Sequence, residues 1–206
     1  VFRDQLAFAA AVRRSLTDAV PGSRVSLIGS LGAGTADEHS DIDLAWVVPD
    51  GTVAQCVERL PGLLGSVAEV ASVRSSPEFQ RSTVRRLIFA RFRGVPLFWR
   101  LDLAIWAASR AFDETADVDN PDARGTEWSL PESAAMNAIG ACKSVLRGQF
   151  ENADGLLSRG FQRIGAPDPG GDWHDRFAEL VRAVAERDPG LTELSREIVG
   201  LAAELR

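Results

Sequence analysis

Apolar positions recur at helical spacing through the first 20 residues, where Phe2, Leu6, Ala9, Ala10, Val12, Leu16 and Val20 share one face until Pro21-Gly22 ends the run. The pattern then changes to short apolar stretches bounded by turn residues, which is how strands read. Strands are expected at 24–29, 42–48, 67–74, 84–93 and 96–106, with a helix over 53–64 between the second and third. Over 113–131 the periodicity disappears into an acidic stretch holding Gly and Pro, a linker or active-site loop. Helical spacing returns over 132–148, 150–164, 172–187 and 191–205, with breaks at 148–150, 165–171 and 188–190. Helices joined so briefly predict an antiparallel bundle. The expected fold class is α+β: a mixed β-sheet domain over 1–112, a connecting stretch over 113–131 and a helical bundle domain over 132–206.

The chemistry concentrates between the first two strands. Residues 25–30 read as a short buried strand ending at Gly29, whose freedom at φ lets the backbone turn and approach a ligand closely; the small residues Gly32, Ala33 and Gly34 follow. N–H groups freed by such a turn, with the Ser30 hydroxyl beside them, form a donor array for phosphate. In Asp41-Ile42-Asp43-Leu44 the two-residue period of a strand sends both carboxylates to one face and both apolar side chains to the other. Mg²⁺ takes oxygen ligands and keeps positions open for phosphate oxygens, and a carboxylate pair at this spacing supplies that. A third acid, Asp102, is embedded in the apolar run 95–106. Aspartate is rarely buried unless paired, and a metal shared with Asp41 and Asp43 is the economical partner. Three carboxylates this close repel by about 4 kcal/mol per pair at ~4 Å and intermediate dielectric, so cations are needed for balance.

A Gly-Ser turn, an Asp-x-Asp on the next strand and a lone Asp on a later strand together resemble the nucleotidyltransferase superfamily that includes DNA polymerase beta. The similarity covers roughly residues 24–106, and in size and layout the chain is similar to the small antibiotic nucleotidyltransferases that adenylylate aminoglycosides or lincosamides. The resemblance implies that the sheet domain is a nucleotidyltransferase domain. It makes Gly29 and Ser30 the triphosphate turn, Asp41 and Asp43 metal ligands, and Asp102 the third ligand or the base, with Ser40 and Lys143 as further nucleotide contacts. It further implies two Mg²⁺ ions, a nucleoside triphosphate co-substrate with ATP the expected one, and a small hydroxylated acceptor lying between the domains. Two other functions stay open: nucleotidylation of a protein or RNA, as toxin-associated relatives do, and a non-catalytic nucleotide-binding regulatory module, against which the intact aspartates argue.

Many members of that superfamily carry an arginine or lysine shortly after the Gly-Ser turn, whereas 31–36 holds none. The cation must come from elsewhere. Lys143 and Arg147 lie four apart on one face of the first bundle helix, behind Asn137 and Gly140. Arg85 and Arg86 in the fourth strand are the other candidates, unless their charge simply guards a sheet edge. Arg159 and Arg163 read as surface charges.

Composition narrows the remaining classes. With 45% hydrophobic residues no segment reaches the ~18 apolar residues of a membrane span, and the amino terminus lacks a targeting pattern, so a cytoplasmic protein is expected. A net charge of -6 makes nucleic acid an unlikely partner. Cys56 and Cys142 lack metal spacing and are expected as reduced, buried thiols. His39 and His174 form neither a metal cluster nor a triad and are expected at the surface. Trp99 and Trp106 are expected in the core, Trp128 in the loop as a substrate contact. Glu127 and Glu132 are spare bases, although Glu132 is also an ordinary first-turn helix acid. No pattern specifies an oligomeric state.

Overall fold

The computed structural model describes residues 3–203; Phe2 of the first expected helix and residues 204 and 205 of the last lie outside the described residues. The chain divides into two compact units, Val1–Trp128 and Ser129–Arg206. Among the described residues no helix is long and apolar enough to cross a membrane.

The first unit opens with helix α1, Gln5–Ala19, started by the Asp4 carboxylate accepting from the Ala7 amide. Strand β1, Arg24–Leu27, leads into the five-residue helix α2, Gly29–Ala33. Strand β2, Ile42–Val48, and helix α3, Val53–Gly65, follow. Strands β3, Val70–Ser75, β4, Arg85–Phe92, and β5, Leu101–Ala107, complete one mixed sheet in the order β1-β2-β5-β4-β3. Among the described residues only β2 and β5 run parallel; the other three pairings are antiparallel.

Strand alternation gives this sheet two unlike faces. Ile42, Leu44, Trp46 and Val48 of β2, with Leu101, Leu103 and Ile105 of β5 and Ile88 and Ala90 of β4, meet Phe8, Val12 and Leu16 of α1 and Leu60 and Leu64 of α3 in the main core. Each such side chain contributes about 1.5–3 kcal/mol on full burial, which fixes the register of every strand. The opposite face carries Asp43 and Asp102 at one end and a smaller buried cluster of Val47, Trp106 and Ala116 further along.

Two expectations for the sheet are corrected. The fifth strand starts at Leu101 rather than 96, because Gly94 at φ +66 and a turn closed by the Trp99 amide on the Pro96 carbonyl occupy the preceding residues. The fourth strand is not an edge, since β3 pairs along its outer side. The acidic stretch up to Trp128 belongs to the first unit. There the Gln80 side chain clamps the Glu127 backbone, donating to its carbonyl and accepting from its amide, while Gly125 and Arg81 pair with Pro77 and Ala123.

The second unit consists of α4, Leu130–Leu146, α5, Phe150–Ile164, α6, Trp173–Arg187, and α7, Thr192–Ala203. Small residues let the helices close: a Cβ at Gly160 would stand 2.5 Å from Leu180. Asn137 of α4 donates to the Leu156 carbonyl and accepts from Arg163, so Arg163, exposed as expected, also ties α5 to α4. Arg176 is buried and holds Asp168 through both oxygens at 2.8 and 2.9 Å while also reaching Asp154 and Ser158. Both cysteines are free and buried, and burial pushes the Cys142 thiol up to about 12.

Candidate active site

The polar face of the sheet is built by register. Asp43 of β2 stands directly opposite Asp102 of β5, each the second residue of its strand, so two acids far apart in sequence become nearest neighbours on one face. Asp41 shares the parity of Asp43 and lies just before β2. All three expected aspartates therefore gather at the same end of the same face.

The Gly-Ser turn reaches this cluster. Gly29 takes φ +57, and a Cβ there would stand 2.8 Å from Asp43 Cγ and overlap the carboxylate. The turn is anchored on the same strand, because the Ile28 amide donates to the Asp43 carbonyl at 3.0 Å. Only glycine permits both the left-handed backbone and this approach. Ser30 follows in the first turn of α2, its carbonyl accepting from Thr35. Gly32 is equally confined, since a Cβ would lie 2.7 Å from the Leu27 carbonyl oxygen. The Ser40 hydroxyl is buried and exchanges hydrogen bonds with Asp37, which shapes the loop that delivers Asp41 and Asp43.

Asp102 has a partner that the sequence reading overlooked. Arg100, two residues upstream on the same face, grips both Asp102 oxygens with Nε and a terminal nitrogen at 2.6 and 2.8 Å, and that nitrogen lies 3.6 Å from Asp41. Burial works against the Arg100 charge, but Asp102, then Asp41 and Asp43, more than offset it and hold its pKa above the ordinary arginine value. Its guanidinium also stands 5.6 Å from the ring of Phe89, the residue opposite Asp102 on β4. The sequence signal for this pair is the alternation Arg-x-Asp at the head of an apolar run.

Phe89 extends the face into a half-buried aromatic cluster: it meets Trp128 edge-on at 5.8 Å, and Arg74 stacks 4.7 Å above the Trp128 ring. Further along β4 a pocket of about 760 Å³ opens among Phe79, Arg85, Leu87, Glu114, Val118 and Arg124. Arg85 shares the face of the aspartates but sits four residues along β4 from Phe89, about 13 Å at strand rise. It is sandwiched by Phe79 and Trp106 at 4.2 and 4.5 Å and bonded to the Glu114 carbonyl. Arg86 points to the other face and donates to the Ser82 carbonyl. Neither arginine meets the carboxylates. Lys143 lies in the last turn of α4, in the second unit.

The other singled-out side chains have local explanations. His39 packs its ring against Phe98 at 5.0 Å and is largely covered, whereas it was expected at the surface. Trp106 is buried with Val47 and Ala116, and Trp99 is only partly buried, donating to the Glu38 carbonyl. Glu132 sits in the first turn of α4, capped by Ser129.

Carboxylate oxygens on one face suit a hard cation such as Mg²⁺, and Asp41 and Asp43 fit that task by type and spacing. Among the described residues no three His, Cys, Asp or Glu side chains are arranged to hold one ion.

No protein-family model and no curated protein matches the chain. Among solved structures it is similar to a cytoplasmic RNA terminal U-transferase, at 16% identity and TM-score 0.39, covering 84% of this chain and 46% of that one. It is also similar to an aminoglycoside 6-adenyltransferase from Bacillus subtilis, at 12% identity and TM-score 0.37, covering 96% of this chain and 99% of that one. The chain thus spans less than half the length of the first of these proteins.

Proposed function

We propose that the chain is a nucleotidyltransferase that moves a nucleoside monophosphate from a nucleoside triphosphate, with ATP the expected donor, to a hydroxyl of a small molecule such as an aminoglycoside or lincosamide. One observation carries this reading: the in-register meeting of Asp43 and Asp102, with the Gly29 turn laid against the Asp43 carboxylate.

In this reading Gly29 and Ser30 present backbone and hydroxyl donors to the phosphates, with Ser40 and Lys143 as further contacts. Asp41 and Asp43 would hold Mg²⁺, with Asp102 shared by a second ion, and the metal when bound neutralises phosphate charge and acidifies the acceptor hydroxyl. Asp102 orients that hydroxyl and takes up its proton. The acceptor oxygen bonds to the α-phosphorus as the bond to the bridging oxygen breaks, and pyrophosphate leaves with its electron pair. The pocket along β4 gives a small acceptor room on the same face, of a size usual for such ligands.

A second reading has its own support. Phe89, Trp128 and Arg74 form an aromatic and cationic stack, a surface on which nucleobases pack, so the end of an RNA is the alternative acceptor. The test is mass spectrometry of two acceptor panels, hydroxylated antibiotics and short RNAs, each incubated with every nucleoside triphosphate and Mg²⁺. The leading reading expects one small molecule to gain a nucleoside monophosphate. Gain on RNA alone favours the second, and no transfer with any donor refutes both.

A further inference from the structure

The carboxylate cluster already contains a cation. Arg100 spans Asp102 through a two-pronged pairing and reaches toward Asp41, and the side chains of Arg100 and Asp102 are only 22% and 20% exposed. A fork of this kind is among the strongest pairings a carboxylate makes and is specific in direction. Guanidinium and a divalent ion carry the same sign, so they oppose each other at one carboxylate.

We propose that Arg100 is the resident counter-charge of the site, holding Asp102 and Asp41 in position before metal arrives and opposing metal binding until it releases them. This rests on the metal-site reading given above. Arg100 is then a positioning residue: it keeps Asp102 aligned opposite Asp43 and makes Asp102 available only as its own fork opens. A merely structural ion pair predicts the contrary, because removing it loosens the carboxylates and weakens whatever they bind.

The test uses Mn²⁺ alone, without nucleotide, with free ion read by electron paramagnetic resonance and the fold checked by circular dichroism. Wild type, Arg100→Gln, Arg100→Lys and Asp43→Asn are compared. Arg100→Gln is expected to bind Mn²⁺ at least about tenfold more tightly than wild type, close to 1.4 kcal/mol. Arg100→Lys should fall between them, because its ammonium keeps the charge but not the fork. It also serves as the comparison if the glutamine variant does not fold. Without metal, Arg100→Gln should melt lower than wild type and recover on adding Mn²⁺. Unchanged or weaker Mn²⁺ binding in the Arg100 variants, with binding still lost in Asp43→Asn, overturns the role of Arg100 and leaves the metal site standing. Mn²⁺ binding that Asp43→Asn does not weaken overturns the metal site itself, and the proposal with it.

Discussion

Replacing Gly29 by alanine separates the cost of a backbone conformation from the cost of touching the carboxylate. Gly29 and Gly34 flank the same short helix, at φ +57 and +71, and both substitutions place a side chain in the left-handed region at about 1–2 kcal/mol. Gly34 has nothing within 4 Å of its new Cβ, so that is the whole penalty. At Gly29 the added atom lies 2.8 Å from Asp43 Cγ and 3.0 Å from its Cβ. Asp43 cannot retreat, because its backbone is paired with Ile28 on one side and lies in the β2–β5 ladder on the other. Relieving the overlap requires a rotated carboxylate or a displaced turn, a further ~1–3 kcal/mol of the kind measured for overpacked cores. Urea denaturation should therefore show Gly29→Ala less stable than wild type by about 2–5 kcal/mol and Gly34→Ala by about 1–2. Mn²⁺ binding should fail in the first and persist in the second. Equal stability and equal binding in the two variants would refute the argument that this turn is fitted to Asp43.

Asp43→Asn removes a ligand charge at nearly constant size, so transfer should be abolished while the thermal melt stays at or above that of wild type; near-normal turnover with Mg²⁺ would contradict the metal site. Lys143→Ala should weaken nucleotide binding clearly in a titration with a non-hydrolysable triphosphate; unchanged binding would remove Lys143 from the site. Asp168 is held down to about 2, from an ordinary 3.8, by its hydrogen bond to Arg176. The stabilisation is full above the unfolded value and lost as pH falls from about 4 toward 2, and solvent screening of the exposed aspartate reduces its size. Arg176→Gln should lower the melting temperature at pH 6 and flatten this acid dependence, and an unaltered pH profile would count against the pairing.

What could be read from the sequence was what is local. Residues 42–48 alternate around two acids, and β2 spans those residues; α5 runs over the residues its spacing predicted. The placing of Asp102 was also legible, because an acid inside an apolar run demands a partner and the face it occupies follows from period two. Strand order was not. Nothing in residues 84–93 tells whether another strand will pair beyond them, and the arginines that suggested an edge are taken up by Phe79, Trp106 and the Ser82 carbonyl. The stretch ending at Trp128 looked irregular because its partners are scattered contacts from 77–85, among them the Gln80 side chain and the Pro77 carbonyl, far away in the chain. Arg176 gave no warning either, since an arginine on an amphipathic helix reads as solvated until Asp154 and Asp168 converge on it.

The register of Asp43 against Asp102 also bears on how the chain reaches its native state. Parallel β2 and β5 are separated by α3, β3 and β4, so their pairing closes a long loop and belongs to the slow, entropically costly part of folding. That step sets two carboxylates side by side, a repulsion that would favour a slipped register or a frayed strand end. Arg100 travels at the head of the incoming strand, its carbonyl accepting from Ile42 and its fork closing on Asp102. The compensating charge arrives with the segment that creates the need for it, so the sheet can zip in its correct register in a newly made chain that has met no ligand.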